Sequence, residues 1–409
     1  MKEVKTILTT TYAVHPLKGS EDAMGWNYVC QIARNNKVIS ITRENNRAAI
    51  EQFMVAHPSS IFNNITFLYF DLPYWMRFWK RGNKGALLYY WMWQRAIPHF
   101  VRKQKIKYDI VHNLNFHNDW TPSYLWKLKK PFVWGPIGHH PLIPKQYLKP
   151  YAANYLLKDR ATWLVKNFFW KCSFSLRKTA RKADFIYAMN SSVGDKIKLK
   201  PNQHLVRPSV ATQDFGFDIK PTEKFTIISA GRFVPLKGFD LTILSFAKFL
   251  NTLPPEARKD CSLILVGKGP EENYLRQLIK REGISAYTEI IPWIEREELM
   301  TKMKDASAFL FPSHEGAGMV VAEALSFALP VICLANCGPG EFINSTCGFA
   351  IAEQSYEGTI KDLSDSLNLL YTNPKKHIAM RAAARKHFEE VFHWDRRGEW
   401  LAEIYSQLK

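Results

Sequence analysis

The chain has 409 residues, which is long enough for two domains of roughly 200 residues each. Hydrophobic residues make up 46% of it and charged residues 23%, as in a folded globular protein rather than a disordered one. The net charge of +19 is concentrated in residues 72–183, which hold 22 Lys and Arg against three acids, and nine of the thirteen tryptophans. A segment of that composition attracts an anionic membrane surface or nucleic acid.

The six cysteines are scattered and include no Cys-x-x-Cys pair, so the sequence predicts neither a zinc site nor a disulfide framework. This usage favours a reducing cytosol. The first residues contain no apolar stretch long enough for a signal peptide, and no apolar run reaches about 18 residues. We therefore expect neither a leader nor a transmembrane helix.

Strand and helix patterns alternate along the first half of the chain. Strands are predicted at residues 4–11, 37–42, 65–70, 108–113, 131–138 and 184–189, and helices at residues 23–35 and 151–182. Residues 190–192 are expected to cap the helix that follows them. Gly19 and Ser20 form a turn between the first strand and the first helix, where backbone amides can contact an anion.

The segment 72–107 contains no acid and interleaves tryptophans with bases. Such a pattern on an amphipathic helix is typical of an element that lies in a membrane interface. Packing of the aromatics in a core is the alternative, and contact with nucleic acid is a second one. No DNA- or RNA-binding motif accompanies the segment, so an anionic membrane surface is the predicted partner and nucleic acid is not.

Histidines follow two predicted strands of the first half. His112 and His117 lie at the carboxyl end of strand 108–113, the edge where open α/β sheets bind ligands. A histidine there can steer an acceptor hydroxyl or neutralise developing charge, so both are candidate catalytic residues, with a structural role as the alternative. His139 and His140 follow strand 131–138, and no third ligand is placed by spacing, so no metal site is predicted.

The second half reads as a separate α/β unit after a linker at residues 207–222. Strands are predicted at residues 225–230, 262–266, 288–292 and 330–334, and helices at residues 241–250, 271–281, 295–304 and 394–408. Residues 309–332 predict a buried strand, a glycine loop and a helix in that order. This alternation predicts a parallel sheet with right-handed crossovers.

Charged residues in two glycine loops of the second half are suited to a nucleotide sugar. Arg232 and Lys237 follow strand 225–230 and can stabilise a diphosphate. Glu315 lies in the loop of residues 312–318, and Glu323 lies eight residues further on, so two separate binding tasks are predicted rather than one shared reaction. The chain contains no Asp-x-Asp, which favours a metal-independent site with no cofactor.

The residues from Glu315 to Ala324 resemble the Glu-x7-Glu signature of retaining glycosyltransferases of family 4, which have the GT-B fold. Further motifs match that family, namely Gly231-Arg232 with Lys237-Gly238, Gly267-Lys268-Gly269-Pro270 and Phe311-Pro312-Ser313. In the first half, residues 18–21 with 25–27, and residues 131–138, look like one subgroup of it. Ala317 stands where the family usually has a bulky residue, and Leu114 stands where many members have a histidine.

The resemblance implies an α/β protein of two Rossmann-like domains that face an interdomain cleft. Residues 1–210, joined by the C-terminal helix 392–409, would bind the acceptor, and residues 222–391 would bind the donor. Arg232 and Lys237 would hold the diphosphate, Glu323 the ribose and Glu315 the transferred sugar. The implied donor-binding set is Gly19, Gly231, Arg232, Lys237, Gly267, Pro292, Glu315, Gly316, Gly318, Met319, Val320 and Glu323, with backbone amides offered by Gly318 and Met319.

The function predicted from these patterns is transfer of a hexose from a nucleotide diphosphate sugar to a glycan acceptor, with the anomeric configuration retained. The basic aromatic segment suggests a lipid-linked acceptor at the inner face of the cell membrane, as in bacterial surface polysaccharide or lipopolysaccharide biosynthesis. The alternative is a non-catalytic basic module on the same fold that binds a membrane or nucleic acid.

Overall fold

The computed structural model describes residues 4–80, 82, 85–114, 118–215 and 224–408. The chain divides into two compact units. The first comprises Met1–His139, Leu164–Ser209 and Trp394–Lys409, and the second comprises His140–Trp163 and Val210–His393. Residues 140–163 were expected in the first domain and instead group with the second unit.

Each unit is built on a parallel sheet. Within the described residues, the first has seven strands in the order β3-β2-β1-β4-β5-β6-β7 and the second has six in the order β10-β9-β8-β11-β12-β13. The strands are β1 Thr6–Thr10, β2 Lys37–Thr42, β3 Ile65–Tyr69, β4 Ile110–Asn113, β5 Phe132–Ile137, β6 Phe185–Ala188, β7 His204–Val206, β8 Phe225–Ala230, β9 Cys261–Val266, β10 Thr288–Ile291, β11 Ala308–Phe311, β12 Val331–Leu334 and β13 Gly348–Ile351. In each sheet the first three strands of the unit follow one another outward in one direction, and the fourth lies on the other side of the first, as in a Rossmann-like sheet.

Helices connect these strands. They are α1 Ser20–Ala33, α2 Arg47–Ala56, α3 Tyr74–Arg77, α4 Ala86–Gln104, α5 Lys145–Leu148, α6 Ala153–Cys172, α7 Phe174–Lys182, α8 Phe239–Asn251, α9 Pro255–Arg258, α10 Glu272–Arg281, α11 Arg296–Lys304, α12 Met319–Ser326, α13 Pro339–Phe342, α14 Tyr356–Thr372, α15 Pro374–His387 and α16 Trp394–Ser406. Every residue of β4, β11 and β12 is buried, because helices cover both faces of a parallel sheet.

Two predicted elements differ from the structure. The helix expected over residues 151–182 is broken at Ser173, whose hydroxyl accepts the Leu176 N–H at 3.2 Å and caps α7. Residues 190–192 do not cap an α-helix, since a short 3-10 turn at Ser191–Asp195 follows Asn190.

Residues 140–163 join the second unit because their buried tyrosines find hydroxyl partners there. Tyr147 shares a hydrogen bond with Thr359 at 2.7 Å, and Tyr151 donates to Asp240 at 2.6 Å. A buried tyrosine contributes apolar area and needs a partner for its hydroxyl, and both needs are met on α8 and α14.

The described part of the basic aromatic segment, residues 72–107, contains α3 and α4, and its tryptophans differ in environment. Trp93 is fully buried, and its indole N–H donates to the Phe70 carbonyl at 2.8 Å. Trp75 on α3 is 72% exposed, Phe78 is 61% exposed and Leu88 is 54% exposed. Packing therefore explains Trp93, while Trp75, Phe78 and Leu88 are left largely uncovered by the described residues.

Candidate active site

The diphosphate-binding loop predicted after β8 begins at Gly231 and Arg232 and continues into a 3-10 turn at Pro235–Lys237. Gly238 ends this turn at φ +67, and a Cβ there would overlap the carbonyl oxygen of Pro312. Glycine is therefore required, both for the left-handed conformation and for the close approach. This approach brings the loop after β8 against the loop after β11, two strands that are neighbours at the point where the strand order reverses.

The approach pairs two predicted site residues that are 78 positions apart. Lys237 Nζ lies 2.7 Å from both Oε1 and Oε2 of Glu315. The Lys237 side chain is 18% exposed and that of Glu315 16%, and the ammonium lies 5.0 Å from the centre of the Phe311 ring. Arg232 is exposed, and among the described residues no carboxylate forms an ion pair with its guanidinium.

Backbone contacts hold the remaining loops of this sheet edge together. The Gly267 N–H donates to the Ile291 carbonyl at 3.0 Å, and the Gly231 N–H donates to Val266 at the same distance. Gly267 has φ +154, and a Cβ there would overlap the Gly231 carbonyl oxygen. Pro292 follows Ile291 and is exposed. The loops after β8, β9 and β10 therefore lie side by side.

Glu323 lies on α12 and is almost fully buried, with 7% of its side chain exposed. Its Oε1 lies 2.8 Å from the Arg296 guanidinium, which is 46% exposed and also donates to Thr212 Oγ1 at 3.0 Å. Burial raises the pKa of the Glu323 carboxyl, and the charge and hydrogen bond of Arg296 oppose that rise. Sequence reasoning missed Arg296, because nothing in the local pattern links it to a glutamate 27 positions away.

The glycine loop leads into the N-terminus of α12, where Gly318 is the N-cap and Met319 and Val320 are the first helical residues. The amides of a first helical turn have no partner within the helix and are available to an anion. The Gly316 N–H donates to His140 Nδ1 at 3.1 Å, so the His140 side chain contacts this loop. The sequence predicted no metal site at His140 and did not indicate its contact with this loop.

A second network missed from the sequence supports the start of α8. The buried carboxylate of Asp240 accepts hydrogen bonds from Tyr151 at 2.6 Å and Tyr356 at 2.7 Å. Burial raises the pKa of Asp240, and both hydroxyls oppose the rise. Nearby, His314 Nδ1 lies 2.7 Å from Glu353 Oε1, next to the Tyr147 ring.

Two predicted residues of the first unit are described: Gly19 follows β1, and His112 is the third residue of β4. His112 is fully buried: its Nε2 lies 2.6 Å from the Gly135 carbonyl and its Nδ1 2.6 Å from the Tyr405 hydroxyl. Burial lowers the pKa of His112 to about 3. With both ring nitrogens engaged by the protein, the arrangement favours a structural role over the predicted catalytic one. His117 lies outside the described residues.

Gly19 is the N-cap of α1 and is exposed. A Cβ at Gly19 would meet no described atom within 4 Å, so packing does not require glycine there. In the part of the chain that the structure describes, no helix is long and apolar enough to cross a membrane. Over the same residues, no group of three or more His, Cys, Asp and Glu is placed to hold a metal ion.

Comparison with known families identifies the second unit. Residues 212–387 match the profile of the glycosyl transferases group 1 family, and this span contains Arg232, Lys237, Glu315 and Glu323. The chain therefore carries a glycosyl transferases group 1 domain. Over these residues the match bears out the predicted glycosyltransferase family.

Curated relatives match the group 1 domain at modest identity. A GDP-mannose-dependent phosphatidylinositol monomannoside mannosyltransferase of Corynebacterium glutamicum is 30% identical over 182 residues, which cover 42% of this chain and 45% of the relative. An uncharacterized glycosyltransferase of Haemophilus influenzae is 30% identical over 166 residues, covering 40% and 44%. The chain thus spans less than half the length of the curated relatives it matches.

Solved structures match nearly the whole chain. HepE of Anabaena, in complex with UDP and glucose, aligns with a TM-score of 0.62 at 15% identity over 99% of this chain and 100% of HepE. WaaG, a glycosyltransferase involved in lipopolysaccharide biosynthesis, aligns with a TM-score of 0.61 at 15% identity over 97% of this chain and 99% of WaaG. At this identity the likeness shows the fold, and the GT-B prediction is confirmed.

Proposed function

We propose that this protein is a retaining glycosyltransferase that transfers a hexose from a nucleotide diphosphate sugar to a glycan acceptor. The observation that carries the proposal is the pairing of Lys237 with Glu315 at the sheet edge of a group 1 domain, beside the amides of α12. By their names, one relative uses GDP-mannose and one structural neighbour binds UDP and glucose, which supports a nucleotide-sugar donor.

In the proposed reaction, Arg232, Lys237 and the N-terminus of α12 stabilise the charge that develops on the leaving diphosphate. Glu315 binds hydroxyls of the transferred sugar and Glu323 binds those of the ribose. The bond from the anomeric carbon to the diphosphate oxygen breaks while the bond to the acceptor oxygen forms on the same face. The leaving diphosphate takes the acceptor proton, so no protein nucleophile is required.

We propose further that cationic side chains and backbone amides suffice for this step without a resident metal ion. The sequence supports this because it contains no Asp-x-Asp. Turnover should then be unchanged by excess EDTA. Loss of turnover in EDTA, restored by adding a divalent cation, would contradict this part of the proposal.

The acceptor is proposed to be a lipid-linked glycan at the cytoplasmic face of a bacterial cell membrane, in surface polysaccharide biosynthesis. The exposed side chains of Tyr74, Trp75 and Phe78 on and beside α3, and of Leu87 and Leu88 at the start of α4, support this. They lie in a segment without acids, so apolar insertion and attraction to anionic lipid act together. The involvement of WaaG in lipopolysaccharide biosynthesis is consistent with such a role.

A screen of UDP- and GDP-sugars for donor turnover tests the catalytic proposal. We expect turnover with one sugar, and its loss in Glu323→Ala. A chain that binds UDP or GDP in a thermal-shift assay but turns over no sugar, with or without acceptor extract, would instead favour a non-catalytic module.

Co-sedimentation with vesicles tests the membrane proposal separately. Binding should require anionic lipid, weaken with salt, and fall when Trp75 and Phe78 are both changed to Ser. Trp293→Ser is a suitable control, because Trp293 is 63% exposed and lies in the second unit. Equal loss of binding in the control would contradict a specific surface on α3.

A further inference from the structure

The carboxylate of Glu323 lies in surroundings that disfavour its charge. Its neighbours on α12, namely Val321, Ala322, Ala324 and Leu325, are fully buried, and 7% of the Glu323 side chain is exposed. A carboxyl group in such a place takes up a proton unless a cation compensates for the lost hydration. Glu323 therefore needs a partner to act as an anion.

Arg296 is that partner, and it is held in place by contacts of its own. Its Nη2 lies 2.8 Å from Glu323 Oε1 and donates to Thr212 Oγ1 at 3.0 Å, and its guanidinium lies 5.8 Å from the centre of the Phe215 ring. An arginine stays charged at every pH at which proteins fold, and its planar fork fixes the direction of the bond. The pair thus fixes one carboxylate oxygen of Glu323.

Other charged groups packed around α12 act elsewhere. On α15, Arg381 Nε donates to the Ala328 carbonyl at 3.3 Å and Arg385 to the Ser326 carbonyl at 2.8 Å, so both lie at the C-terminal end of α12. Glu389, in the π-helical turn at Phe388–Phe392, pairs with Arg385 at 2.8 Å. On β12, burial raises the pKa of the Cys333 thiol and keeps it neutral. Arg296 is therefore the charge that acts on Glu323.

We infer that Arg296 is a positioning residue of the donor site, which keeps Glu323 ionised and oriented to accept hydrogen bonds from the ribose hydroxyls of a nucleoside diphosphate. The inference rests on the proposed function. Among the described residues, the ion pair of the carboxylate is the one between Arg296 Nη2 and Oε1, which leaves Oε2 for hydroxyl donors. A vicinal diol offers two O–H donors, which an ionised carboxylate accepts and a protonated one accepts less well.

The position of Arg296 agrees with this task. It begins α11, five residues after Ile291, whose carbonyl accepts the Gly267 N–H at 3.0 Å. The segment from Ile291 to Arg296 thus runs from the glycine loop after β9 to Glu323. A nucleotide whose diphosphate lies on the glycine loops would place its ribose along this segment.

Calorimetric titration of the full chain with UDP, GDP and inorganic pyrophosphate tests the inference. Arg296→Ala should weaken binding of the nucleoside diphosphate that the wild type prefers by about tenfold, the loss expected for one charge-assisted hydrogen bond. Its affinity should recover at a higher pH than that of the wild type, because the unpaired carboxyl holds its proton longer. Pyrophosphate binding should not change, and Arg296→Lys should restore part of the affinity.

Two further variants separate positioning from a loss of structure. On a Glu323→Gln background, Arg296→Ala should have no additional effect on nucleotide affinity, since no charge remains to be held. Arg276→Ala is the matched control, because Arg276 forms an exposed pair with Glu272 at 2.8 Å on α10, and its nucleotide affinity should equal that of the wild type.

The outcomes distinguish the inference from the proposed function. A wild type that binds neither UDP nor GDP overturns both. A wild type that binds a nucleotide, with Arg296→Ala equal to it in affinity and pH dependence, overturns the inference alone. The inference is also overturned if Arg296→Ala lowers nucleotide affinity further on the Glu323→Gln background, or if it weakens pyrophosphate binding as much as nucleotide binding. In either case Arg296 would act independently of Glu323.

Discussion

Replacing Lys237 by alanine should slow transfer and also destabilise the second unit, because it leaves the carboxylate of Glu315 without its described cation. Breaking a fully buried ion pair costs about 3–5 kcal/mol, whereas an exposed pair contributes about 0–1 kcal/mol. Here the two side chains are 18% and 16% exposed. We therefore expect Lys237→Ala to lower the free energy of unfolding by about 2–3 kcal/mol.

The double variant Lys237→Ala/Glu315→Ala removes both charges and should cost less than the sum of the single variants, with a coupling of about 1–2 kcal/mol. Denaturant unfolding of the full chain measures this cycle. Lys361→Ala is the control, since Lys361 pairs with Asp365 while 62% exposed, and this variant should unfold at the same denaturant concentration as the wild type.

Donor turnover is measured on the same variants. Losing one stabilising cation costs about 3 kcal/mol in the transition state, or a rate lower by about a hundredfold. Two results would refute the reasoning: additive destabilisation in the double variant, or wild-type turnover in folded Lys237→Ala. The first would mean that the pair is not coupled, and the second that Lys237 does not act on the diphosphate.

Three further predictions concern residues that hold the site. Burial lowers the folded-state pKa of His112 to about 3, whereas a histidine in the unfolded chain titrates near about 6.5. Below about pH 6.5 the unfolded chain therefore takes up a proton that the folded chain does not, and the free energy of unfolding falls by about 1.4 kcal/mol for each pH unit down to about pH 3. His112→Gln should remove that slope in unfolding experiments. Gly238→Ala should unfold at lower denaturant than Gly283→Ala, because both glycines have positive φ but only at Gly238 would a Cβ overlap a carbonyl oxygen; equal effects would contradict the close approach. Tyr151→Phe should cost about 1–3 kcal/mol by removing a donor from a buried aspartate, and Tyr155→Phe, whose acceptor is part-exposed, less than about 1 kcal/mol; the reverse order would count against the network.

Local sequence predicted most of the strands and the donor loops, but not β7 and β13. Apolar runs separated by glycine turns and helical periodicity predicted the strands from β8 to β12, since the period of burial is set by backbone geometry. Gly238 and Gly267 were recognisable because a tight turn demands glycine whatever surrounds it. Arg232 and Lys237 were placed at the sheet edge because parallel strands end together there.

Tertiary structure alone decided which charges meet and which aromatics are covered. Lys237 reaches Glu315, and Arg296 reaches Glu323, because the strand order brings loops from distant parts of the chain to one edge. The same holds for burial: Trp93 has its partners in the core of the first unit, while Trp75, from the same acid-free segment, has none that cover it among the described residues. The residue type gives the charge and the surface area of a side chain, but its neighbours in the folded structure decide whether that charge is paired and whether that area is buried.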